Sequence, residues 1–118
     1  MNKDIREVIH NQVKAYNSRN LEEFLSYFAN DIEIKREGLA QPLIQGWQQL
    51  ATEYKKMFEA SPQLYAEILE EVVDGNTITH IERVMGRMGS DKAITVTAKY
   101  TVEDDLIKKV YFYNLITE

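Results

Sequence analysis

Residues 64–116 read LYAEILEEVVDGNTITHIERVMGRMGSDKAITVTAKYTVEDDLIKKVYFYNLI, and this stretch decides the fold. Its apolar residues recur at every second position, which is the spacing of a strand with one buried face. β-rich runs are expected over Leu64 to Val73, Thr77 to Met88, Lys92 to Glu103 and Leu106 to Ile116. The breaks are Asp74-Gly75-Asn76, Gly89-Ser90-Asp91 and Glu103-Asp104-Asp105, all of them turn chemistry. Connections this short force antiparallel neighbours, so the runs predict a meander.

Upstream the period lengthens to that of a helix. Ile5, Val8, Ile9, Val13 and Tyr16 form one stripe of a first helix. Asn20 and Glu23 have capping-box spacing and open a second, short one, with Leu21, Phe24, Leu25 and Phe28 on its apolar face. Asn30 and Asp31 end it, and Ile32 and Ile34 alternate with charged residues as a short strand. A third helix is expected from Trp47 to Glu59, closed by Ser61-Pro62. The fold class is therefore α+β: three N-terminal helices packed on a curved antiparallel sheet, in one domain spanning residues 1–118.

Composition narrows the function classes. With no cysteine, disulfides, thiolate metal sites and thiol nucleophiles are excluded. A net charge of −5 gives no general attraction for phosphate backbones, and Lys108-Lys109 is too small a patch for nucleic acid. No apolar run approaches the ~18 residues that cross a bilayer, and the N-terminus has no signal-peptide pattern, so a cytoplasmic protein is expected. No glycine-rich phosphate loop follows a strand, and His, Asp and Glu do not cluster at metal-ligand spacing, so neither metal nor cofactor is expected.

The strand faces locate the candidate site. In the third run Ile94, Val96, Ala98, Tyr100 and Val102 face the helices. The last run is apolar on both faces, Leu106, Val110, Phe112 and Ile116 on one and Ile107, Tyr111, Tyr113 and Leu115 on the other. A second copy of the chain is the expected cover for its outer face, as a sheet-to-sheet homodimer. His80 and Glu82 share a face of the second run. A three-residue loop at Gly89-Ser90-Asp91 sets Glu82 opposite Ala98, on the helix-packed face; a two-residue loop sets it opposite Lys99, where an ion pair is the plain reading. His10 lies off the helical stripe and reads as solvated, and Glu67, Glu70 and Glu71 read as a solvated strand edge. Gln12 falls inside the stripe, where an amide needs a partner, a polar cavity or the rim. Trp47, Tyr54, Phe58, Tyr65, Tyr100 and Phe112 are either core or the wall of an apolar pocket.

This order of elements resembles the nuclear-transport-factor-2-like superfamily, and within it the SnoaL-like, steroid-delta-isomerase-related branch. The resemblance covers nearly the whole chain. It is carried by Ala15-Tyr16-Asn17, Phe28-Ala29-Asn30-Asp31, Gly46, Met57-Phe58 with Ser61-Pro62, His80-Ile81-Glu82-Arg83-Val84 and Leu106-Ile107. It implies a cone-shaped α+β barrel with a cavity between helices and sheet, commonly dimeric. The isomerases of this group move a proton with a carboxylate base, helped by a tyrosine and a protonated acid. Those three positions fall on Arg36, Gln12 and Ala98 respectively, and none matches, although Glu37 adjoins the first. A missing base alone costs about 10²–10⁴-fold, so that chemistry is not expected in that form.

The expected function is binding of a small apolar or amphipathic molecule, with Gln12, Tyr16, Trp47, Tyr54, Phe58, Tyr100 and Phe112 around it. One alternative is a proton-transfer enzyme of isomerase or cyclase type. In it Glu82 is acid or base, His80 is its partner, and Gln12 and Tyr16 are donors to the substrate; a carboxyl on a buried face can serve as donor or base near neutral pH. The other is a dimeric protein-interaction scaffold, by fold analogy alone.

Overall fold

The computed structural model describes residues 4–118. Its elements are α1 (Ile5–Asn17), α2 (Leu21–Ser26), β1 (Phe28–Arg36), β2 (Ile44–Gln45), α3 (Trp47–Glu59), β3 (Tyr65–Asp74), β4 (Thr77–Met85), β5 (Ile94–Glu103) and β6 (Leu106–Thr117). Half of the expected capping box forms: the Asn20 side chain accepts from the Glu23 amide at 3.1 Å and starts α2, whereas the Asn20 backbone N–H donates to the Ala15 carbonyl at 2.9 Å. Three helices and a six-stranded sheet make an α+β fold. No helix among the described residues is long and apolar enough to cross a membrane.

The sheet order is β2-β1-β6-β5-β4-β3. It is mixed rather than antiparallel throughout, because β1 runs parallel to β6 while every other pair is antiparallel. β1 is also longer than the expected Ile32–Ile34 strand. It begins at Phe28, which together with Ala29 is buried, and pairs with Ile107 before a register shift.

The β4–β5 connection departs from both expected hairpins. β4 stops at Met85 and β5 starts at Ile94, with a 3₁₀ turn at Arg87–Gly89 between them. Gly86 causes the early stop. It sits at φ +75°, and a Cβ there would lie 2.3 Å from the Gln63 carbonyl oxygen. The resulting register sets Glu82 opposite Val96 and His80 opposite Ala98. Glu82 therefore faces the helices, two residues away from the partner expected for the longer loop.

Bulges correct the face assignment of β6. Lys108 is an extra residue opposite the Thr101/Val102 step, and a second register shift falls between Tyr113 and Ile116, where Asn114 has φ 52°. Ile107 and Leu115 thus move to the helix side, where Ile107 is fully buried, and Leu106 and Ile116 move to the outer side. The outer face carries Leu106, Tyr111, Tyr113 and Ile116, with the two tyrosine rings stacked at 5.5 Å.

Candidate functional site

The helices do not fill the space they cover. Phe24 plugs one end, with ring centroids 4.8 Å from Phe28, 4.7 Å from Tyr54 and 5.4 Å from Phe58. Beyond it lies a cavity of about 490 Å³ between α1, α3 and the sheet, a size that suits a small organic ligand. Val84, Val96 and Val110 contribute apolar wall from three adjacent strands. The exposed members of the lining, Arg36, Leu43, Glu53, Lys56, Arg87, Met88 and Leu115, mark the mouth.

Polar groups gather at the buried end. Gln12, from the core-facing stripe of α1, is 6 % exposed and its Oε1 has no hydrogen-bond partner. Glu82 is also 6 % exposed and accepts from the Tyr100 hydroxyl at 2.7 Å. Tyr16 and Tyr54 complete this group. Burial, then the charge of Glu82, pushes the Tyr100 hydroxyl well above its ordinary range. Tyr16 is raised by burial, and Tyr54 is pushed up to about 12, also by burial, against the opposing charge of Arg87. All three therefore stay protonated across the biological pH range and can donate.

Behind Glu82 runs a line of charged groups leading to the surface. His80 is completely buried, and its Nδ1 lies 3.4 Å from Glu82 Oε2, an ion-pair distance rather than a hydrogen bond. Its Nε2 lies 2.8 Å from Glu71 Oε2, which His10 Nε2 also contacts at 2.5 Å. Burial pushes the His80 imidazolium down, but the carboxylates of Glu82 and Glu71 outweigh it and hold its pKa above the ordinary value. Burial acts to raise Glu71, and its bonds to His80 and His10 win, leaving it lowered.

His10, Glu71 and His80 bring three potential metal-donor atoms within 4.8 Å of one another, a grouping that their sequence positions hide. The contacts of His80 with Glu71 at 2.8 Å and Glu82 at 3.4 Å favour its protonated form. Each of its ring nitrogens faces a carboxylate, so neutralising either nitrogen would leave lone pairs opposed.

The model of the SnoaL-like domain matches residues 9–110. This chain belongs to the SnoaL-like family. No curated protein matches its sequence. Among solved structures, it is similar to an NTF2-like protein of unknown function from Cytophaga hutchinsonii, at TM-score 0.79 and 14 % identity over 96 % of this chain and 91 % of that one. A computationally designed 17-OHP binder aligns at TM-score 0.82 and 13 % identity, over 100 % and 98 %. A protein with a ketosteroid isomerase-like fold from Catenulispora acidiphila, in complex with trimethylamine, aligns at TM-score 0.75 and 14 % identity, over 91 % and 84 %. At these identities the likeness is one of fold.

Within the SnoaL-like domain, Gln12, Tyr16, Tyr54, Tyr100, Phe112 and Glu82 all line the cavity. Trp47 and Phe58, expected around the ligand, do not, and neither does Tyr65, for which core and wall were both open. The Trp47 indole N–H donates to the Leu25 carbonyl at 3.1 Å, which turns the ring toward α2. Phe58 is buried in the Phe24 cluster, and Tyr65 is half exposed on β3. His80 stands behind Glu82 rather than in the wall, and Ala98 is buried beside it on β5. Arg36, expected from the resemblance at the isomerases' base position, lines the mouth.

Sequence reasoning missed Glu71 and Arg87. Strict alternation from Ala66 and Ile68 sends Glu71 outward, but Leu69 is an extra residue in β3 and restores Glu71 to the face of His80. His10, expected to be free in solvent, is half exposed and tied to Glu71. Arg87 was hidden because the second run was expected to continue as strand through Met88.

Proposed function

We propose that this SnoaL-like domain binds a small amphipathic molecule in the cavity between its helices and sheet. The observation that carries the reading is Gln12, a buried amide among the residues that line the cavity, whose Oε1 has no hydrogen-bond partner. An unsatisfied group of this kind costs about 1–3 kcal/mol, and a ligand hydroxyl or N–H would recover that cost. Apolar walls on three strands supply the remainder of the affinity through burial, at roughly 25 cal/mol per Å². A thermal-shift panel of ten-carbon alcohols and ketones tests it. Binders should raise the melting temperature of the wild type and not of Val110→Trp, whose indole would occupy the space. Equal shifts in the two proteins would place binding elsewhere.

A second reading is proton transfer in the same cavity, favoured by the placement of Glu82 between the wall and His80. Glu82 as carboxylate would take a proton from the carbon between a ketone and a neighbouring carbon–carbon double bond and return it to the far carbon of the resulting dienolate, which shifts the double bond into conjugation, with Tyr16 donating to the dienolate oxygen. Proton-deuterium exchange at carbons beside a bound ketone, followed by NMR, reports the first half of that cycle. Glu82→Gln should reduce the exchange at least about 10²-fold, and an unchanged rate would remove Glu82 from the chemistry.

A second copy of the chain is the proposed cover for Leu106, Tyr111, Tyr113 and Ile116 on the outer face. Ile116 is 63 % exposed and Tyr111 40 % exposed, a patch of the kind that associates. Sedimentation at micromolar concentration should give a dimer, and Tyr111→Glu with Ile116→Glu a monomer.

A further inference from the structure

We infer that the ligand is an amphipathic carboxylate, held with its acid group at the mouth beside Arg87, its apolar body along the strands, and a hydrogen-bond donor at its far end. The inference rests on the cavity reading and adds a chemical class and an orientation to it.

The cavity is electrically polarised. Its closed end holds the Glu82 carboxyl, backed by His80 at 3.4 Å, and Gln12, whose Oε1 is an acceptor without a donor. Its mouth holds Arg36, Lys56 and Arg87 against the single acid Glu53. That balance opposes the chain as a whole, which carries fourteen basic and nineteen acidic residues. Among the described residues, none of the three mouth cations makes a side-chain hydrogen bond or an ion pair, whereas Arg83, Lys108 and Lys35 all do. Arg87 is the innermost in effect, since its charge reaches the hydroxyls of both Tyr16 and Tyr54.

These placements read out a ligand. Unpaired cations around an apolar opening attract a carboxylate, and a guanidinium can grip it with two parallel hydrogen bonds. A carboxylate at the closed end would meet Glu82 at low dielectric and be repelled. The same end accepts a hydroxyl or N–H, because Gln12 Oε1 and the free lone pairs of Glu82 are acceptors. An ammonium headgroup reverses every one of these terms at the mouth.

The test compares decanoate, ω-hydroxydecanoate, decanol and decylamine by isothermal titration at pH 7.5, with low and high salt. Decanoate should bind about tenfold more tightly than decanol, with an advantage that shrinks in high salt. The ω-hydroxyl should add a further gain that is lost in Gln12→Leu. In Arg87→Gln the decanoate-to-decanol ratio should fall to about threefold or less, and in the Arg36→Gln, Lys56→Gln, Arg87→Gln triple variant to unity. Because both ligands probe one protein, a change of cavity shape cancels from the ratio. Decanol binding as tightly as decanoate, or decylamine binding best, would overturn the inference and leave the cavity reading intact. Failure of all four to bind the wild type would remove both.

Discussion

Glu71 Oε2 lies 2.8 Å from His80 Nε2 because Leu69 is an extra residue in β3. Without that bulge Glu71 would point to the outer side of the sheet, and a fully buried imidazole would keep only Glu82 beside it. A local irregularity thus supports the carboxylate in the cavity wall from behind. Deletion of Leu69 should reverse the faces of every β3 residue on one side of the bulge. A loss of more than about 3 kcal/mol in urea unfolding is expected, within the range for a broken buried ionic network.

Stability should depend on pH through the same pair. The folded pKa of His80 is raised, so its contribution is complete below the ordinary 6.5 and disappears as pH rises through the folded value. The folded pKa of Glu71 is lowered, so its contribution is complete above the ordinary 4.5 and disappears as pH falls through the folded value. The two windows overlap between 4.5 and 6.5. There Glu71→Gln should cost about 1–2 kcal/mol, and the cost should shrink toward pH 9. A wild-type-minus-variant difference that is flat from pH 5 to 9 would contradict the charge assignment.

Tyr100→Phe removes the hydroxyl that donates to Glu82 at 2.7 Å and leaves ring packing in place. A loss of about 1.5–3 kcal/mol is expected, the value of a hydrogen bond to a charged group. Chemical denaturation measures it, and Glu82→Gln in the same background gives the coupling between the two.

Gly86→Ala places a methyl group 2.3 Å from the Gln63 carbonyl oxygen at a positive φ. Both the backbone strain and the clash are unfavourable, and about 2–4 kcal/mol should be lost. The melting temperature checks this. Because Gly86 leads into the turn that carries Arg87, the variant should also weaken decanoate binding.

Much of this architecture was legible in sequence. The Asn20 N-cap, the stripe of the first helix and the alternation in Ile94 to Val102 each reflect a local preference that packing reinforces, and all appear in the fold, whereas Phe28, Asn30 and Asp31, expected in and after the second helix, lie in β1. The parallel β1–β6 pairing was not legible, because strands distant in the chain meet only through tertiary packing. Bulges were the deeper obstacle. Leu69, Lys108 and the shift near Asn114 each add one residue to a period-two pattern, and one residue exchanges the faces. That is why Leu106, Ile107, Leu115 and Ile116 fall on the faces opposite to those expected and Glu71, expected as a solvated strand edge, meets His80, while the face of Glu82, on unbulged β4, depended only on the register of its hairpin. Trp47 and Phe58 show a different limit. An aromatic residue on a helical stripe faces inward, but its neighbours decide whether it borders space or fills it.

The cavity as binding site is tested most directly by intermolecular nuclear Overhauser effects between bound decanol and the valine methyl groups. Cross-peaks to Val84, Val96 and Val110, which wall the cavity from three strands, are the result this account predicts. Cross-peaks confined to Val72, which is 59 % exposed on β3, would contradict it.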